Sequence, residues 1–560
     1  MELMWKWIPI IVYLFVGTFL SVDISLLAVH GLDSRGWNDV SPSPADWLKY
    51  FTSLQWNEIL TTFRNVQRGA LSSLPHGGWT GWLLVGWLPL FIHAISSARP
   101  PKPLRHYSNV FGDARLANDA ELGRMRKGLE LGRHEGREIR VSIEGTLLSI
   151  APPRKGKTGG LLIPNLLFPQ AGAWGGPAIV IDPKGEVYRA VHERREKLGR
   201  RVVCLDPLGI CGGKDQLYPL ETAIETDVLY FQHIASSLLP QPSGRGDEAS
   251  AYFRNRAIDL VTAAIIAACY RGVKTVVEVQ RLLAAETEMQ SVLRIILSER
   301  DEPAAQSALE LFDNDPKTKD PVKSTALQAF QWLADARMRK VVSGNTFDLK
   351  ELTTGMCDLF IAVPPQYKTL LAPWIRWLLA DIFAIVRRTA VKKRIVAFID
   401  EAAALGRFDE ILTAAAELPG HGLSLWTFWQ NRSQIVDLYG DAGAATILNT
   451  AECVTISDLS AVDPDECERW SKALGSYTAL IETSTRPATG SGHGQISSSP
   501  QAAPLVSKER LYSLPSTDLL AFVNSRSYGR YPLRLSKTFA HDDARFKRFL
   551  GASKAPVKTN

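Results

Sequence analysis

Apolar residues run from Trp7 to Val29, "WIPIIVYLFVGTFLSVDISLLAV", with Asp23 the single charge, a stretch long enough to cross a hydrocarbon core of roughly 30 Å as a helix. A second uncharged run, Gly77 to Ala98, carries Trp79, Trp82 and Trp87 at its start, where an interfacial aromatic belt would lie. We expect a two-helix membrane hairpin over 1–98, with spans near 7–29 and 77–98 and residues between them outside. No comparable run is expected in the rest of the chain. Asp23 is costly in lipid and would face a partner helix or the outer interface.

Beyond residue 99 the period changes. "TLLSI" before a Pro and Gly-rich turn, "AIVID" (178–182), "RVVCLD" (201–206), "CDLFIAV" (357–363), "RIVAFID" (394–400), "LSLWTFW" (423–429) and "ECVTIS" (452–457) read as short buried strands. Helical segments alternate with them, which implies a parallel sheet covered on both faces. Between 225 and 345 the strand signal stops and Ala- and Leu-rich faces recur at helical spacing. The expected organisation is a hairpin (1–98), the first part of an α/β domain (99–224), an all-α insertion (225–345), the second part of the α/β domain (346–540) and a tail (541–560). The Ser, Gly and Pro-rich stretch 482–504 is expected to be a mobile loop.

Composition sharpens this picture in three places. Ten Lys/Arg against six Asp/Glu between Arg99 and Arg140, compared with four against four over 31–76, place both termini and the large carboxyl-terminal part on the cytoplasmic side. The net charge of +6 over 560 residues permits a polyanionic partner without announcing one. The six cysteines form no Cys-x-x-Cys pair, which excludes a zinc ribbon and fits reduced, buried thiols. His-Glu-x-x-His is absent from the sequence, excluding a zincin protease.

The chemistry sits at two strand ends. In "IAPPRKGKTGG" the residues Pro153, Arg154, Lys155, Gly156, Lys157, Thr158 and Gly159 have the form of a phosphate-binding loop. Backbone N–H groups at a helix N-terminus would wrap the phosphates, Lys157 would reach the β/γ oxygens, and the Thr158 hydroxyl would bind Mg²⁺. Ala151 stands where the usual pattern begins with glycine, at the loop entrance, and would matter only if its φ had to be positive. The strand "RIVAFID" then delivers Asp400 and Glu401; paired acids at a buried strand end are expensive unless they meet a metal or a proton. Asp400 is assigned to Mg²⁺ and Glu401 to the attacking water. Gln430 ends the next strand, where its amide would sense a γ-phosphate or cap a helix; the residues alone leave both open.

In order along the chain, "FGDARLA" (111–117), "PPRKGKTGGLLIPNLL" (152–167), "IVIDPKGEVY" (179–188), "FIDEAAALG" (398–406) and "GHGLSLWTFWQNRSQIVDLYG" (420–440) resemble the type IV secretion system coupling proteins, the TraG/TraD-type ATPases of conjugation, over about 110–535. The resemblance implies a RecA-like P-loop motor domain with an inserted all-α domain that recruits cargo, anchored by a two-helix transmembrane hairpin in the bacterial inner membrane. It also implies ATP and Mg²⁺ as cofactors, a homo-oligomer, expected as a hexamer, and type IV secretion inner-membrane components as partners. Cargo would be a relaxase–DNA complex with single-stranded DNA, or effector proteins. It assigns Gln430 to the sensor role. Pro419 stands where some relatives carry a trans-acting arginine, leaving Arg407 and Arg432 as candidates, and Asp182, Lys184 and Glu186 match a DPKGE motif whose role is open. Two rival readings are a docking receptor for secreted effectors with little motor activity and an FtsK-like double-stranded DNA translocase. Against the latter, about twenty residues follow His541, too few for a DNA-reading winged helix.

Overall fold

In the computed structural model the described residues are 104–105 and 109–550, apart from 169–170, 219, 221–222, 225, 240–247, 315, 486–494 and 525–527. The two expected membrane spans, the loop between them and residues 551–560 lie outside the described residues.

The chain divides into two units, 1–106 with 479–501, and 107–478 with 502–560. In the first, Leu104–Arg105 pairs antiparallel with Ala479 and Leu480. Of the stretch expected to be a mobile loop, 482–504, residues 486–494 lie outside the described residues, while its two flanks belong to strands Ser476–Thr485 and Gln495–Pro504 of a three-stranded sheet. The polar composition misleads because Gln495–Pro504 is the last strand of that sheet, and an edge strand tolerates Pro500 and a polar, solvated face.

The second unit is built on an eleven-stranded mixed sheet. Its strands are β1 (Leu129–His134), β2 (Arg137–Val141), β3 (Thr146–Ile150), β4 (Ala178–Asp182), β5 (Arg201–Leu205), β6 (Cys357–Ala362), β7 (Ile395–Ile399), β8 (Leu423–Trp429), β9 (Ala451–Ile456), β10 (Asp518–Val523) and β11 (Leu533–Ser536). The spatial order is β2-β1-β11-β10-β9-β3-β8-β7-β4-β6-β5. All neighbours from β9 to β5 pair parallel, while β10, β11, β1 and β2 extend the sheet antiparallel. Every residue of β3, β4, β6, β7 and β8 is buried, as a sheet covered on both faces requires.

Helices cover those faces. α1 (Thr158–Leu167) follows β3 and α2 (Glu186–Lys197) follows β4. Buried Arg195 of α2 grips Asp358 of β6 through Nε and Nη2 at 2.6 and 2.8 Å, both side chains fully enclosed; a bidentate pair of this kind is strongly destabilised by losing one partner. Between β5 and β6 the regular elements among the described residues are helices only: α3 (Val228–Leu238), α4 (Glu248–Tyr270), α5 (Val276–Ala284), α6 (Glu286–Glu299), α7 (Pro303–Phe312), α8 (Pro316–Gln328) and α9 (Ala336–Val341), with short 3₁₀ segments at Gln331–Ala334 before α9 and Leu349–Thr354 before β6. They share one apolar cluster with the sheet.

After β6 comes α10 (Lys368–Arg388). Among the described residues, Pro365–Arg388 is the one helix long and apolar enough to cross a membrane, with mean hydropathy 1.6 over its best window, yet 72% of that window is buried within the fold. The expectation that no further run would rival the two spans is therefore corrected. Trp374, Trp377 and Phe383 are buried in the core, and a helix buried on most sides is apolar around most of its circumference. The last helices that bear on the site are α11 (Glu410–Glu417) and α12 (Arg432–Thr450).

Candidate functional site

In a parallel sheet, loops at the carboxyl ends of adjacent strands share one crevice. The order β3-β8-β7 therefore sets the loop after β3, Gln430 after β8 and Asp400-Glu401 after β7 side by side. The contacts bear this out: Thr158 Oγ1 donates to Asp400 Oδ2 at 2.8 Å across 242 positions of sequence.

The loop itself is held in a conformation of its own. Arg154 has φ 61° and Gly156 φ 81°, left-handed values that turn the chain sharply into α1. Ala151 has no such requirement and is not among the positive-φ residues; it is buried, its N–H donating to Trp429 O at 3.1 Å. Alanine in place of glycine there costs the backbone nothing. α1 opens with a wide turn, the Ile163 N–H bonding Thr158 O, and Gly159 and Gly160 add no side chains to its first turn beside that of Thr158.

Lys157 lies over the strand ends, its ammonium donating to Ala151 O and, at 3.2 Å, to Trp429 O. Burial lowers its pKa while Asp400 and Glu401 oppose that shift. Burial raises the Asp400 carboxyl to about 6, against the Thr158 hydrogen bond and the charges of Lys157 and Lys184. Two hard oxygens in contact, one on a carboxylate that a cation would favour, suit Mg²⁺. Glu401 has φ 79°, a costly backbone for a glutamate. Its Oε1 receives Gln430 Nε2 at 3.3 Å and Lys368 Nζ, from the start of α10, at 3.2 Å.

The DPKGE residues divide. Asp182 is fully buried and accepts the N–H groups of Tyr188 (3.0 Å) and Lys184 (3.3 Å), so it fastens the turn into α2. Burial raises its carboxyl to about 7. Lys184 and Glu186 act on Asp400 from opposite signs, the first lowering and the second raising its pKa. Of the arginine candidates, Arg407 pairs with Asp409 at 3.0 Å and Arg432 with Asp441 at 3.4 Å.

Three side chains at the site escape the sequence reading. Asp458 follows β9 as Asp400 follows β7, and the acid closing "ECVTISD" is a signal of the same form. Lys368 and Lys537 carry none, because only packing brings α10 and the chain after β11 to the loop.

The geometry agrees with likeness to known proteins. Residues 126–559 match the family model described as Type IV secretory system Conjugative DNA transfer. The conjugal transfer protein TraG of Agrobacterium fabrum is 26% identical over 400 residues, covering 69% of this chain and 60% of that protein. Protein VirD4 of Rhizobium radiobacter is 26% identical over 416 residues, 72% of this chain and 58% of its own length. The chain thus spans about 60% of the length of these relatives. In fold it is similar to the bacterial conjugative coupling protein TrwBdeltaN70 in complex with sulphate, with TM-score 0.57, 17% identity and coverage of 77% of this chain and 96% of that one. TrwB with ADP and Mg²⁺ gives TM-score 0.55 at 17% identity, covering 77% and 96%. With its match extending over well more than half of the sequence, the chain belongs to the Type IV secretory system conjugative DNA transfer family.

Proposed function

We propose that this chain is an inner-membrane, ATP-hydrolysing coupling protein with a RecA-like motor, which recruits cargo and passes it to a type IV secretion channel. The observation that carries the reading is the Thr158–Asp400 contact at 2.8 Å beside Lys157 and the Gln430–Glu401 pair. It makes one site from a phosphate loop and paired acids that the sequence separates. TrwB, whose fold this chain shares, has been solved with ADP and Mg²⁺ and with a non-hydrolysable ATP analogue.

The backbone N–H groups of Arg154 to Gly159 would receive the phosphates at the start of α1, with Pro153 stiffening the entrance. Lys157 would leave its two carbonyls for the β/γ oxygens. Thr158 and Asp400 would hold Mg²⁺, which neutralises charge on the transferring phosphoryl group. Glu401 would orient the attacking water and take its proton as the water oxygen bonds phosphorus and ADP leaves. Gln430, bonded to Glu401, would register whether the γ-phosphate is present.

Cargo recruitment is assigned to the all-α stretch 225–345, with DNA held through phosphates and so released by salt. The cargo is a relaxase–DNA complex or a protein effector, and assembly is as a hexamer anchored by the amino-terminal hairpin. In the decisive experiment, Lys157→Ala loses ATP binding and Glu401→Gln binds ATP but turns over slower by about 100-fold or more. Normal hydrolysis by Lys157→Ala removes the site assignment.

A further inference from the structure

The chain after β11 crosses the outer side of the phosphate loop. Ala540 N donates to Gly159 O at 3.0 Å, and the Phe539 ring occupies the place where a Gly156 side chain would stand, a Cβ there meeting Cε1 at 2.3 Å. Two residues earlier, the Lys537 ammonium is almost wholly enclosed, its side chain 4% exposed. Its three hydrogens have three acceptors: Asp458 Oδ2 at 2.5 Å, Lys155 O at 3.0 Å and Ser516 O at 3.0 Å. Asp458 is equally enclosed, sits at φ 54°, and also faces Lys155 Nζ at 3.6 Å.

This cluster is expensive. Burial lowers the pKa of Lys537 although Asp458 opposes it, and Asp458 takes a left-handed backbone to meet the ammonium. A surface ion pair needs no such arrangement. What it accomplishes is visible in the bond to Lys155: that carbonyl belongs to the peptide joining Lys155 to Gly156, in a residue flanked by Arg154 and Gly156, the two loop residues with positive φ. Left to itself, a short glycine-containing loop would sample other turns.

We propose that Lys537 is a positioning residue of the nucleotide site: with Asp458 it pins the Lys155 peptide and so keeps the phosphate loop in its binding conformation before nucleotide arrives. The proposal rests on the reading of this loop as an ATP site. A loop competent for only a tenth of the time binds about tenfold more weakly. Once ATP is bound, its phosphates supply the missing order, so turnover is spared.

The test is steady-state hydrolysis and ATP binding by the full chain carrying Lys537→Met, Lys537→Arg, Asp458→Asn, and the double variant Lys537→Met/Asp458→Asn. The double variant leaves no uncompensated buried charge and so keeps the test open if a single variant fails to fold. The expected result is a KM for ATP raised about tenfold with kcat within about threefold, the double variant no worse than the singles, and partial rescue by arginine. A double variant with lowered thermal stability but unchanged KM makes the cluster merely structural and overturns the proposal. So does a fall in kcat at constant KM. If the parent chain itself binds no ATP, the reading of the site fails and this proposal with it; if the parent binds and Lys157→Ala does not, an unchanged KM in the Lys537 variants counts against Lys537 alone.

Discussion

At the scale of single residues, Gly156 shows why this loop has glycine where it does. Its φ of 81° disfavours any side chain, and the Phe539 ring already fills the space a Cβ would enter. Gly156→Ala is expected to destabilise the fold by ~1–3 kcal/mol through backbone strain and overpacking and to abolish ATP binding. Adding Phe539→Ala removes the overlap and leaves the strain, so thermal unfolding of the double variant separates the two contributions. The motif in the sequence names Gly156, but the reason for half of its constraint lies 383 positions later.

Among elements, α10 ties the site to the helices between β5 and β6. Lys368 at its start reaches Glu401. About two turns along, buried Arg376 donates to Leu405 O (2.7 Å) in the segment after the paired acids and to Ser237 O and Leu238 O (2.8 and 3.0 Å) at the end of α3. Further on, Asp381 receives the Tyr230 hydroxyl of α3, and burial raises its carboxyl to about 7 from the ordinary 3.8, with Tyr230 pulling the other way. The folded chain therefore holds a proton on Asp381 that the unfolded chain releases near pH 4. Its contribution to stability is complete below pH 4 and is lost as the pH rises through about 7. Asp381→Asn, which keeps an acceptor for Tyr230, is expected to flatten that decline by on the order of 1–4 kcal/mol, read from urea unfolding at pH 5 and pH 8. The apolar run of α10 went unread in the sequence, where none was expected beyond the two spans; only the structure shows it as a buried core helix, because hydropathy does not distinguish lipid from protein interior.

For the whole molecule, the proposed function requires subunits to meet. Arg407 and Arg432 are engaged within their own chain by Asp409 and Asp441, so an arginine acting across an interface would have to exchange its partner on assembly. ATP turnover per chain is expected to rise with protein concentration in step with oligomer mass by light scattering, while ATP affinity stays within about threefold. Turnover that is constant from dilute monomer to assembled ring removes the need for an arginine acting across an interface.

The buried strands β4, β7 and β8 were readable almost to the residue, because a run of Val, Ile, Phe and Trp bounded by turns admits few other fates in a chain of this length. The hairpin β1–β2 was not: its two-residue turn, Glu135-Gly136, puts a glutamate at φ 48° where asparagine or aspartate is the usual signal. The paired acids and the phosphate loop were likewise present as local patterns. Local sequence thus determined which strands are buried and which side chains are candidates for the chemistry, because both follow from short-range spacing. Only tertiary structure decided that β8 would separate β3 from β7, that Lys368 would reach Glu401 33 positions on, and that Lys537 would return to Asp458 across 79 positions, because strand order and the burial of a charge depend on contacts that short-range spacing does not encode.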